Sequence, residues 1–81
     1  MDQETEKEIE QLNQTVDEFA TEMKARLREQ AIKGYRGWND PENYNQIMDM
    51  MLKHASAPVG QEVDAANLAM ILWYLRQQED I

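Results

Sequence analysis

Two short runs of this sequence carry side chains able to bind a ligand. Between Lys33 and Asn39 the run KGYRGWN sets two cations, Lys33 and Arg36, beside Trp38 in a stretch that Gly34 and Gly37 keep out of regular structure. Ammonium and guanidinium groups donate charge-assisted hydrogen bonds to phosphate, and an indole stacks on a base or a cation. From Glu62 to Leu75 the run EVDAANLAMILWYL sets Asp64 and Asn67 inside an otherwise apolar surface, three residues apart and therefore on one side of a helix. Lys33, Arg36, Trp38, Asp64 and Asn67 form the expected ligand-binding set. Each has a plainer alternative. A carboxylate in a first helical turn meets the positive end of the helix dipole, cations in a last turn meet the negative end, and a lone amide in an apolar seam fixes register. Trp38 would then be a plug closing the end of a bundle. Met48, Met50 and Met51 read as packing residues. His54 has no Cys or His partner at ligand spacing, which leaves it without metal chemistry.

These residues must be positioned by helices. Ile9, Leu12, Val16, Phe19 and Met23 recur at spacings of three and four, continued by Leu27 and Ala31, and predict one long helix over about residues 4–32. Gly34 suits the position just past its end, and residues 33–40 form the main loop. Asp40 before Pro41 reads as an N-cap and first helical residue, opening a second helix over about 41–55 with Tyr44, Ile47, Met48, Met51, Leu52 and Ala55 as its stripe. SAPVG, from Ser56 to Gly60, is a connector to a third helix over about 61–78. The expected fold is all-α: a long N-terminal helix packed on a two-helix hairpin, in one domain.

The third helix is apolar almost all round. At about 100° per residue, Val63, Ala66, Asn67, Met70 and Tyr74 form one face and Leu68, Ile71, Leu72 and Leu75 a second, leaving Ala65, Ala69 and Arg76 outward. The first face is expected to meet Ile47, Met48, Met51 and Leu52. The second is expected to be buried by a second copy, with Leu68, Leu72 and Leu75 at the contact of a homo-oligomer, most simply a twofold dimer. A chain of 81 residues is near the size at which one core is marginal.

Charge and composition narrow the partners. The chain carries a formal net charge of −8, distributed as −7 over residues 1–23, +4 over 24–36 and −5 over the rest. Generic nucleic-acid binding does not fit that balance; a local basic patch in an acidic protein suits a small phosphate-bearing ligand. There is no cysteine to staple the fold or supply thiolates. The apolar run from Ala65 to Leu75 falls well short of the roughly 20 residues that span a bilayer, so no membrane role is expected. MDQETEKEIE is acidic and polar, unlike a secretion signal, and the expected location is the cytoplasm, that of the host if the protein is phage-encoded.

Two segments carry a family resemblance. FATEMKARLREQAIKGYRGWND, from Phe19 to Asp40, is similar to the entry helix and Lys-Gly-Gly-Trp loop of small, often phage-borne, MazG-like all-α nucleotide pyrophosphohydrolases. VDAANLAMILW, from Val63 to Trp73, resembles the Asp-Val-Ala-Asn-Phe-Ala-Met-Met helix of the same group. The resemblance implies an oligomer that binds a nucleoside triphosphate with Mg²⁺ and cleaves between the α and β phosphates, using an ExxE pair on one helix and an ExxD pair on the next. Asp64 matches the last of these acids and is the one metal ligand the resemblance carries over. Gln61 stands where its partner acid should be. Glu62 is about 200° from Asp64 and points away from it. The ExxE helix retains only Asp49, about 130° from its own apolar stripe and four residues before Lys53, a spacing that suits a solvated ion pair.

Three functions follow. The first is a MazG-like helical oligomer that binds a nucleotide or nucleotide-derived ligand without efficient hydrolysis. The second is an acidic protein-interaction factor, an inhibitor or anti-defence protein of a phage or mobile element. The third is an active Mg²⁺-dependent pyrophosphohydrolase, against which the missing acids weigh.

Overall fold

The computed structural model describes residues 1–57 and 59–78. They form three α-helices, with no strand among the described residues: α1 (Gln3–Ile32), α2 (Tyr44–Ser56) and α3 (Glu62–Gln78), with a 3₁₀ turn at Pro41–Asn43. Of the expected SAPVG connector, Pro58 lies outside the described residues.

Local chemistry sets each boundary. The Asp2 carboxylate accepts a hydrogen bond from the Thr5 N–H at 2.7 Å, capping α1. Glu4 and Glu6 follow in the first turn, where acids complement the helix dipole. At the other end the Tyr35 N–H bonds the Gln30 carbonyl and the Gly34 N–H bonds that of Ala31, the two contacts of a Schellman stop. Gly34 has φ 95°, which a side chain would oppose. Asp40 accepts from the Glu42 N–H as expected, yet Pro41 opens a 3₁₀ turn and the α-helix begins only at Tyr44.

α3 is the middle element. It packs along α2 as a hairpin and lies against the second half of α1, while α1 and α2 have almost no direct contact. The core is small: Ile47 from α2 with Ile71, Leu72 and Leu75 from α3, against which Tyr44, Met48, Met51, Leu68 and Tyr74 pack. This reverses the expected use of α3. Its Leu68, Ile71, Leu72 and Leu75 face is turned into the protomer, and Leu75 is completely buried there. Leu72 and Leu75 are thus held by their own chain and are not available to a second copy, and Leu68 is half-buried. Met70 and Leu52, expected to face one another in the core, are exposed instead. The physical reason is that four large aliphatic side chains, Leu68, Ile71, Leu72 and Leu75, share that face, whereas Val63, Met70 and Tyr74 share theirs with Asn67 and small Ala66.

The uncovered apolar surface lies on α1. Phe19, Ala20, Met23, Arg26, Leu27 and Gln30 are half-buried against the hairpin, and no residue of α1 is fully buried. N-terminal to Phe19 the helix runs on past the body, and the same stripe is bare: Ile9 is 41%, Leu12 56% and Val16 63% exposed. Sixteen residues, Gln3 to Glu18, make an overhang of about 24 Å at 1.5 Å per residue.

Candidate functional site

Of the five expected ligand residues, Trp38 lies apart from Asp64 and Asn67. Asp64, in the first turn of α3, accepts from Arg26 Nε at 2.9 Å, and Arg26 Nη1 donates to Glu29 at 2.9 Å. These are the two ion pairs among the described residues. Asp49 and Lys53 do not form the pair their spacing suggests. The bonds from Arg26, first to Asp64 and then to Glu29, raise the pKa of the guanidinium and hold it cationic. Asp64 is 28% exposed, so it has some access to solvent, but its charge is already compensated by a cation of the same chain.

Asn67 lies one turn further along α3, is 5% exposed, and donates from Nδ2 to the Met23 carbonyl at 3.2 Å. Its Oδ1 is buried with no partner. Met23 with Asn67 and Arg26 with Asp64 set α1 and α3 antiparallel where they touch. Both polar residues of α3 therefore serve the helix–helix joint.

Lys33, Arg36 and Trp38 lie at the end of α1 and in the loop after it. Lys33 is the exposed C-cap residue of α1. Arg36 Nη1 donates to the carbonyls of Ala31 at 3.0 Å and Tyr35 at 2.9 Å, so its charge sits at the negative end of the α1 dipole. Trp38 packs on Tyr74 with ring centroids 5.2 Å apart and planes tilted by 50°, the geometry of a favourable aromatic pair. Tyr74 is ten residues beyond Asp64 along α3, about 15 Å away. The loop is held there from its other side. The Asn43 Nδ2 donates to the Gly37 carbonyl at 2.8 Å, and a Cβ on Gly37, at φ 91°, would meet that amide at 3.1 Å. Trp38 closes one end of the hairpin while Asp64 and Asn67 tie α1 to the other.

Arg26 is the residue this reading missed. Its signal was present: Met23, Arg26 and Gln30 are spaced by three and four, which puts Arg26 on the packed side of α1 among apolar neighbours. His54 Nδ1 is hydrogen-bonded to Gln61 Oε1 across the α2–α3 connection. Gln61 thus has a structural partner where the MazG-like pattern has an acid. Among the described residues, no group of three or more His, Cys, Asp or Glu side chains could hold a metal ion, and no helix is long and apolar enough to cross a membrane. No protein-family model, curated protein or solved structure matches this chain.

Proposed function

We propose that this chain is a non-catalytic, acidic interaction factor whose working surface is the projecting half of α1 and whose target is a positively charged protein surface. The observation that carries the reading is the charge on that helix. Asp2, Glu4, Glu6, Glu8, Glu10, Asp17, Glu18 and Glu22 are all exposed, and none is in either ion pair of the described residues. Glu4 with Glu8, Glu6 with Glu10 and Glu18 with Glu22 are like charges at i, i+4, which destabilise a helix. A cationic target relieves that repulsion on binding and is steered toward it beforehand. An inhibitor that occupies a basic functional surface has this form.

A nucleotide-binding MazG-like oligomer is the second reading. It is favoured by Lys24, Arg28 and Lys33, exposed cations that enter neither ion pair. Hydrolysis with Mg²⁺ requires carboxylates beyond Asp64 that the described residues do not group. One experiment separates the readings: thermal shift against nucleotides and cyclic nucleotides, with Mg²⁺ and with chelator, beside titration of a lysine-rich helical peptide. The interaction factor binds the peptide, less tightly as salt rises, and loses it in Glu10→Gln/Asp17→Asn/Glu18→Gln. A nucleotide-induced rise in Tm that disappears in Lys33→Ala and Arg36→Ala overturns the proposal in favour of a ligand-binding protein.

A further inference from the structure

We infer that the bare stripe of α1 is covered by the same stripe of a second copy, the two overhangs pairing antiparallel about a twofold axis between Leu12 and Val16. The inference concerns the apolar side of the helix. Glu10, Asp17 and Glu18 point the other way, so it stands or falls apart from the target proposed for the acidic face.

Surface area gives the first argument. The protomer exposes 6672 Å², whereas a compact chain of 9.5 kDa exposes about 5,000 Å². The excess, roughly 1,600 Å², exceeds the ~800 Å² per partner that a standard stable interface removes. The radius of gyration agrees: 15.3 Å against about 12 Å for a compact domain of this length. A core in which Leu75 is the only completely buried large side chain among the described residues is correspondingly thin. The protomer is an open shape with material missing beside α1.

The second argument is the pattern of the stripe. Ile9, Leu12, Val16, Phe19 and Met23 alternate steps of three and four, the seam of a two-helix coil. α3 covers the seam from Phe19 onward, and the overhang continues it without a break. Charge then chooses the occupant. Residues 11–16, QLNQTV, are the uncharged centre of an otherwise acidic helix, bounded by Glu10 and Asp17. Acids are absent where two copies would cross, so the second copy meets Leu12 and Val16 without a like-charge contact at the axis.

Direction follows from the same charges. A parallel pair would lay Glu4, Glu6 and Glu8 beside their own copies and bring two positive helix ends together. In the antiparallel pair Leu12 meets Val16 of the second copy, and the Glu4 ends lie about 30 Å apart along the axis. The contact is confined to residues 10–18 of each copy, because from Phe19 onward α3 occupies the stripe and the second helix diverges there.

Sedimentation and light scattering on the whole chain test the inference. At about 10 µM the mass is expected to be twice the 9.5 kDa of the chain, and Leu12→Glu weakens association about 100-fold or more. Leu12 is exposed in the protomer, so the hairpin stays folded; Val16→Ser serves as a milder second variant. Added salt tightens the dimer by screening the two acidic helices, opposite to its effect on a lysine-rich partner. Because the chain has no cysteine, spin labels at Lys7→Cys and Gln14→Cys report direction: antiparallel pairing makes the Lys7 separation about 10 Å longer. A monomer at about 100 µM, a dimer indifferent to Leu12→Glu, or equal separations at the two labels overturns the inference.

Discussion

Arg26 and Asn67 fasten α1 to α3 in different ways, and they respond differently to substitution. Arg26 makes an ion pair across the joint to Asp64 and another within its own helix to Glu29. Arg26→Ala should speed amide exchange in residues 19–30 while leaving α2 unchanged, a contrast that hydrogen-exchange mass spectrometry resolves. Asn67 donates to a Met23 carbonyl that a helix already satisfies, and buries an oxygen with no donor. Asn67→Leu should therefore raise stability by about 1 kcal/mol in denaturant unfolding. A loss of that size would mean that the amide holds register. Asp2 adds a pH dependence. The Thr5 N–H holds its carboxyl below the ordinary aspartate value of 3.8. Its capping contribution is thus fully present above that pH and is lost as pH falls through the lower folded value. Asp2→Asn, which keeps the cap without the charge, should flatten the acid limb of a helicity titration.

At the scale of elements, α3 is the helix on which the fold depends. Leu75→Ala should destabilise the protein by about 3 kcal/mol, read from the denaturant midpoint, because it empties the most enclosed position of a small core. The three helices were legible in the sequence because apolar periodicity and end signals are local: the Schellman glycine at Gly34, the Asp40 cap and the start of α3 all appear where the residues place them. The 3₁₀ opening of α2 was not, since Asp-Pro reads alike at both kinds of turn. The partner of each helix face was less legible still. An all-round apolar helix states that it is covered and not by what; here the answer is α2 and α1 of its own chain. The candidate ligand residues were individually sound as chemistry, but an eleven-residue connection carries Trp38 to Tyr74 rather than to Asp64, and no spacing rule encodes that route. Gly34→Ala should lower stability by roughly 1 kcal/mol, a calorimetric check that the chain must reverse at that residue.

The whole molecule is a compact hairpin with a charged rod laid across it. The projecting part of that rod, residues 3–18, carries six acids against Lys7, so removing residues 1–18 should leave a protein that has lost most of its affinity for a cationic partner but still melts cooperatively, which circular dichroism and peptide titration check together. The rod also has mechanical properties. About 24 Å of α1 stands free, while the docked stretch from Phe19 to Gln30 is about 18 Å long. A load applied at the tip therefore acts on the joint with leverage greater than one. That joint has no fully buried α1 side chain, and its polar fastenings are the Arg26 pair and the Asn67 hydrogen bond. A partner held at the far end of the helix, as proposed, would consequently apply its load to the hairpin through a lever.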